Sequence, residues 1–360
     1  MTAPLLVTDD DALLDDLLRL AAAAGVVLDV ASDVSAAQRA WSGAGLVLVG
    51  CDLAGPVAAA SPPRRTGVQL LVRGRAPDEL FRTALALGAE NVAELPASES
   101  WLVETLTDAA DGGASAGSLV AVVGGSGGAG ASVFAGALAL TLGRRGSALL
   151  VDADPWGAGA DRLLGMEGVE GVRWDAIAST TGRLSARSLR QALPSRDGVA
   201  VLTWTATTLR RRAPVDRPLP LFAVREVLSA GTRGNDAVVV DLPRRPDPVV
   251  DEVLARADHV VLVCGVTVAA ATAASRIAPR LAVLSAAKHL VVRGSGGVEP
   301  GEVARLLSVP LAAAMPDQRG VDESVDLGAG PLRSRRGALA RAASLVADRV
   351  GPGLAQRMSA

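Results

Sequence analysis

The chain contains no tyrosine, and its single lysine, Lys288, stands against 35 arginines. Any chemistry that needs a tyrosine acid, or a lysine inside a glycine-rich loop, is excluded by inspection. Only two cysteines occur, Cys51 and Cys264, and neither lies in a CxxC motif. That spacing suggests neither a metal site nor a disulfide framework. Both end strand-like apolar runs and read as buried free thiols. No run of about 20 apolar residues is present. The longest stretch, Ala257–Ala274, is broken by Asp258, His259 and Gly265. A membrane span is therefore not predicted. The opening MTAPLLVTDDD carries no basic segment, so a signal peptide is not predicted and a cytoplasmic location is expected. The net charge of −2 gives no strong nucleic-acid signal. The clusters Arg210–Arg212 and Arg335–Arg336 read as solvated surface. The two histidines read differently: His259 opens a strand as a structural residue, and His289, beside Lys288, is expected at the surface. The tryptophans (41, 101, 156, 174 and 204) form no stacking stripe.

What is present is apolar and rhythmic. The 360 residues are 49% hydrophobic, enough for two domains with full cores. In residues 1–108, strand-like runs at Leu5–Val7, Val26–Val30, Leu46–Gly50, Val68–Val72 and Asn91–Leu95 alternate with helical patterns, such as Leu13, Leu14, Leu17, Leu18 and Ala21. That alternation predicts an α/β fold with a parallel sheet covered on both faces. A Gly/Ser/Ala-rich linker follows at 109–118. From 119 to 347 the rhythm repeats, with strands expected at Leu119–Val123, Ala148–Val151, Gly198–Thr203, Ala237–Val240, His259–Val263 and His289–Val292. Pro214–Pro220 reads as a surface loop and residues 348–360 as a frayed tail.

The sharpest local signal is SLVAVVGGSGGAGASVFAGALALTLGRRGSALLVDADP, Ser118–Pro155. Glycines 124, 125, 127, 128 and 130 allow positive φ and close approach to an anion. Successive N–H groups and a following helix start make an anion nest. Ser132 stands where a phosphate-loop hydroxyl ligates Mg²⁺. The run Gly125–Gly130 also satisfies G-x-G-x-x-G, with Asp152 some 22 residues on. An NAD(P)-binding Rossmann enzyme is therefore the competing reading.

The wider chain decides between them. Ser126–Ser132 resembles the deviant Walker A of the ParA/MinD ATPases everywhere except at its two lysines, which are Ser126 and Ala131 here. Asp152-Ala153-Asp154 and Asp241-Leu242-Pro243 resemble that family's two switch motifs, and the likeness extends over most of 119–335. The resemblance implies a mainly parallel P-loop domain that binds ATP and Mg²⁺. Gly125, Gly127, Gly128, Ala129, Gly130, Ala131 and Ser132 would cradle the nucleotide. Ser132, Asp154 and Asp241 would hold the metal, and Asp154 and Asp241 would take the switch carboxylate roles. A dehydrogenase of the short-chain type would need the missing tyrosine. Phosphoryl transfer depends on cations at developing charge, and losing one such contact costs about 2.7–4 kcal/mol. Little or no hydrolysis is expected, unless an arginine substitutes; Arg144 and Arg145 lie too far along the helix.

Residues 1–108 resemble a response-regulator receiver whose flavodoxin-like scaffold remains but whose chemistry is degenerate. Asp9, Asp10 and Asp11 follow the first strand, yet they also read as a helix start. The phosphoacceptor position is Gly50, and Asp52 lies two residues on, displaced from the pocket by that shift. Arg73 and Leu95 replace the hydroxyl and the lysine. A pseudo-receiver joined to a MinD-like domain resembles the CpaE/TadZ branch and the actinobacterial septum-site-determining proteins. That likeness implies a regulator of septum placement or of Tad-type pilus secretion. It implies protein partners at the pole or septum, a homodimer, and at most peripheral contact with the inner membrane surface. The C-terminal helix pattern Leu339–Val350 is expected to pack on its own domain.

Overall fold

The computed structural model describes residues 3–110, 117–179, 184–205 and 219–351. Arg210–Arg212, most of the linker, the Pro-rich loop up to Pro218 and the tail from 352 lie outside the described residues. The chain divides into two compact units, Met1–Ser115 and Ala116–Ala360.

The first unit alternates strand and helix in the order β1 (Leu5–Val7), α1 (Asp11–Ala24), β2 (Asp29–Ala31), α2 (Val34–Trp41), β3 (Val47–Gly50), α3 (Cys51–Ala59), β4 (Val68–Arg73), α4 (Asp78–Leu87), β5 (Asn91–Leu95) and α5 (Glu99–Ala110). The sheet runs β2-β1-β3-β4-β5, all parallel. Helix α1 shows why the acidic run sits where it does. Asp10 caps it, accepting from the N–H groups of Ala12 and Leu13, and Gly25 closes it in the left-handed region. Its buried stripe is Leu13, Leu17, Leu20 and Ala21, and Leu18 faces out. The second strand starts three residues later than Val26. The Val26 N–H donates back to the Ala21 carbonyl at the helix end, and only Asp29–Ala31 pair with Leu5–Val7. Cys51 is exposed, because the strand stops at Gly50 and Cys51 opens α3.

The second unit contains β6 (Ser118–Gly124), α6 (Ala131–Gly143), β7 (Ala148–Asp152), α7 (Ala160–Leu163), α8 (Trp174–Ile177), α9 (Ala186–Ala192), β8 (Ser195–Arg196) and β9 (Val199–Leu202). It continues with α10 (Leu221–Gly234), β10 (Ala237–Leu242), α11 (Pro248–Arg256), β11 (His259–Gly265), α12 (Val268–Ser275), α13 (Ala278–Ala282) and β12 (Ala287–Arg293). It ends with α14 (Pro300–Leu307), β13 (Leu311–Met315), α15 (Val321–Asp326) and α16 (Ala338–Val350). The sheet order is β13-β12-β11-β6-β10-β7-β9-β8, parallel except for the β8–β9 hairpin. Alternation along β6 sets its two cores. Leu119, Ala121 and Val123 enter one, with α10 and α11; Val120 and Val122 enter the other, with α6 and α16. α16 buries Leu339, Ala343, Val346 and Val350 in that second core, so it packs on its own unit.

This order bears on the dinucleotide alternative. A Rossmann sheet sets its first two strands side by side. Here β10 intervenes between β6 and β7. His289 is buried rather than at the surface, because it lies on a parallel-paired central strand with its Nε2 3.1 Å from His259 Nδ1. Among the tryptophans, Trp174 and Trp204 do meet, tilted with ring centroids 6.3 Å apart.

Candidate phosphate-binding site

The site begins at the C-terminal end of β6. The glycine-rich turn leaves the sheet at Gly124 and enters α6 at Gly130, whose φ of +86° only glycine adopts without strain. No side chain caps this helix start. The first loop residue is held on both sides. Gly125 N–H donates to the Val263 carbonyl at 2.8 Å, and Arg244 Nε donates to the Gly125 carbonyl at 3.2 Å. A Cβ on Gly125 would lie 2.7 Å from the Ala274 methyl, so the backbone is free of side chains where it runs. Gly127 and Gly128 face open space, with Gly128 also at positive φ. Ala129 is buried, whereas Ala131 and Ser132 in the first turn of α6 are half-buried.

Two carboxylates lie at the ends of β10 and β7, and a third, Asp154, follows β7. Asp241 on β10 and Asp152 on β7 are register partners. Asp152 is fully engaged. It accepts from Thr203 Oγ1 at 2.8 Å, Ala160 N–H at 3.1 Å and Asp154 N–H at 3.1 Å. Burial pushes its carboxyl up to about 6, while these donors pull it back. Asp241 is buried, and its Oδ1 has no hydrogen-bond partner. Burial raises its carboxyl to about 7; the Ser132 hydroxyl opposes this, and the charges of Asp152 and Asp154 add to it. Asp154 is half-buried and accepts from the Trp156 N–H at 3.0 Å. The fold thus sets Ser132 beside Asp241, and Asp154 in the loop after β7.

Sequence reasoning passed over Asp152 as a site residue. Its structural work is to clamp the loop from 154 to 160, and its place in an Asp-x-Asp pair was the available signal. The same reasoning gives Arg293, which ends β12, no role at the phosphates. A Cβ on Gly130 would lie 2.7 Å from Arg293 Nη1. Nothing local in the sequence joins residues 130 and 293; the sheet order does. Among the described residues, no group of three or more His, Cys, Asp or Glu side chains is arranged to hold a metal ion.

Comparison with known proteins agrees with this architecture. Residues 7–117 match the family model described as the Rv3660c-like, CheY-like N-terminal domain. The chain is 40% identical over 344 residues to Rv3660c of Mycobacterium tuberculosis strain H37Rv, covering 94% of this chain and 95% of that protein. Among solved structures it is similar to a ParA family ATPase from Chlorobium tepidum, with a TM-score of 0.54, 14% identity, and coverage of 65% of this chain and 98% of that one. The septum site-determining protein MinD from Pyrococcus horikoshii, complexed with Mg-ADP, gives a TM-score of 0.54 at 19% identity, covering 65% of this chain and 95% of that one. The larger unit therefore has the ParA/MinD fold. No described helix is long and apolar enough to cross a membrane. With its receiver-like first unit and full-length likeness to the mycobacterial protein, the chain belongs to the Rv3660c-like family.

Proposed function

We propose that this protein is a MinD-like positional regulator that binds Mg-ATP and hydrolyses it little or not at all. The observation that carries this reading is a phosphate loop complete in backbone, with Ser132 and Asp241 beside it, and with Ser126 and Ala131 at the lysine positions. The residues fit the ligand. The N–H groups at the start of α6, which no side chain caps, suit phosphate oxygens. Asp241 Oδ1 is a buried carboxylate oxygen without a partner, the kind of group a cation satisfies. Mg²⁺ is bound through one or two carboxylates together with phosphates and water. Ser132, Asp241 and Asp154 would hold it, and Gly125 to Ser132 would hold the phosphates. The ion's chemistry there is to neutralise phosphate charge.

Such a protein holds position by binding, because it lacks the lysines that drive a hydrolytic cycle. The receiver-like unit supplies a protein-docking module. A solved MinC:MinD complex from Aquifex aeolicus, with a TM-score of 0.51 to this chain at 16% identity, is a precedent for MinD folds with protein partners. Recruitment of a cytoplasmic protein to the pole or septum, in septum placement or Tad-type pilus assembly, is the role this combination supports, with homodimer formation as the nucleotide-dependent step.

Phosphate release from Mg-ATP by the wild type and by Ala131→Lys tests the chemistry. Near-background turnover with measurable binding is expected of the wild type. Turnover at the rates of lysine-bearing MinD proteins would refute the reading. A fluorescent fusion in the native host tests the role: static polar or septal foci that need residues 1–108 are expected, and pole-to-pole oscillation would count against it.

A further inference from the structure

The phosphate loop lacks lysine but not positive charge. Arg293 leaves the end of β12, two strands away from β6, and its guanidinium reaches the entrance of α6. Nη1 lies 2.7 Å, and Cζ 3.7 Å, from where a Gly130 side chain would start. Gly130 is required by its φ, and the end of the arginine side chain lies over it. This placement opposes the helix dipole, which favours anions at an N-terminus and disfavours cations. A cation held against a positive helix end, over uncapped N–H groups, is arranged for an anion that both can share. At present Arg293 is compensated by Asp317, with Nε donating to Oδ1 at 2.8 Å. That pair is open to solvent, with side chains 38% and 66% exposed, so it is weak and exchangeable. A second observation points to a ligand independently. Asp241, more than nine-tenths buried, keeps an unpartnered Oδ1 and lies beside Ser132 in the same first turn of α6.

We infer that Arg293 is the cation that meets the phosphates of a bound nucleotide, taking the place left by Ala131 and Ser126, with Asp317 as the carboxylate it releases on binding. The inference rests on the nucleotide reading above and deepens it. Arg293 suits the task, since a guanidinium presents paired N–H donors to phosphate oxygens and stays charged. Arg244 plays a supporting part. It ties the Gly125 carbonyl to the last turn of α12 through the Ala273 carbonyl at 3.4 Å, and so positions the loop. Arg293 comes from outside the loop, so it gives binding without the lysine's reach along the phosphate chain.

The test is calorimetric titration of the full chain with Mg-ATP, and separately with pyrophosphate, for wild type, Arg293→Ala and Asp317→Ala. Arg293→Ala is expected to weaken both ligands at least fivefold. Asp317→Ala is expected to tighten them severalfold, because it removes the competing carboxylate; a merely structural ion pair would not give opposite signs. Asp317 is exposed, and thermal unfolding curves check that each variant folds. Wild-type binding with both variants within twofold of it, or both variants weakened, overturns the role of Arg293 and leaves the nucleotide reading standing. Pyrophosphate binding that depends on Arg293, without ATP binding, overturns the nucleotide reading and keeps the anion site. Wild type that binds neither ligand overturns both.

Discussion

The Asp52 carboxylate occupies the space that a side chain at Gly50 would fill: a Cβ on Gly50 would lie 2.2 Å from Asp52 Oδ1. The two-residue shift therefore does not take the carboxylate out of the pocket. Asp52, in the first turn of α3, folds back over the end of β3. Its Oδ1 accepts from Thr8 Oγ1 at 2.9 Å, and its Oδ2 from the Asp9 N–H at 2.7 Å. An acid is in place without the partners that would make it reactive. Leu95 is buried at the end of β5, and Arg73 is engaged by Asp16 at 3.0 Å.

Phosphorylation should accordingly fail. An aspartyl phosphate needs a cation on its oxygens and a free carboxylate oxygen to form. Incubation with acetyl phosphate and Mg²⁺ is expected to leave residues 1–108 unlabelled. An acid-labile label mapped to Asp52 would overturn this.

The close approach of Gly50 and Asp52 predicts strong coupling between them. Gly50→Ala forces the carboxylate out of its two hydrogen bonds and should cost about 1–3 kcal/mol. In an Asp52→Ala background the shortest of these approaches is gone, while Thr8 Oγ1 at 2.8 Å and Leu13 Cδ2 at 2.9 Å remain, so the same change should cost less, though not nothing. Denaturant unfolding of the four proteins in the cycle measures the difference. Additive effects would mean that Asp52 turns away freely.

How far the sequence was legible follows a physical line. Strands of β-branched residues with clear punctuation, such as Leu119–Val123 and Ala237–Val240, read directly. Strand β13, LAAAM, did not, because alanine has little strand preference and its burial comes from β12 and α16. The phosphate loop was legible because local spacing makes it. Arg293 over Gly130 was not, because 163 residues separate them and only the sheet order joins them. Asp52 illustrates an intermediate case: its position in sequence is local, but its direction depends on Thr8 and the Asp9 N–H across the sheet.

The histidine pair, His289 buried and His259 half-buried, makes stability depend on acid. Burial lowers His289 to about 4, helped by the charges of His259 and Arg349; burial also lowers His259, with Asp258 opposing. Both folded values lie below the unfolded one near 6.5, so the unfolded chain takes up more protons in between. This contribution is intact above pH 6.5 and is lost as pH falls toward 4. Relative to His289→Gln, wild type should lose about 1–2 kcal/mol between pH 7 and pH 5. The comparison cancels the slopes from Asp152 and Asp241, which both proteins share. A pH-independent difference would show that the pair is solvated.

Asp241 carries the opposite slope, and it separates stability from function. Its folded carboxyl is raised to about 7 from an ordinary value near 3.8, chiefly by burial. The folded state therefore holds a proton that the unfolded state has released between those values. The contribution is fully present below pH 4 and is lost as pH rises through 7. At pH 8 the wild type carries a buried charge with an unpartnered oxygen. Asp241→Asn keeps the shape and removes the charge. It should stabilise the protein by about 1–3 kcal/mol at pH 8, and by little at pH 4. Under the proposed function, a bound cation offsets that cost. The same variant should therefore lose the strengthening of ATP binding by Mg²⁺, while its binding of metal-free ATP changes less than threefold. Unfolding at the two pH values, together with titrations with and without Mg²⁺, reads both effects. A variant less stable than wild type at pH 8, or one whose ATP affinity still rises with Mg²⁺, would show that Asp241 is a structural strand-end residue.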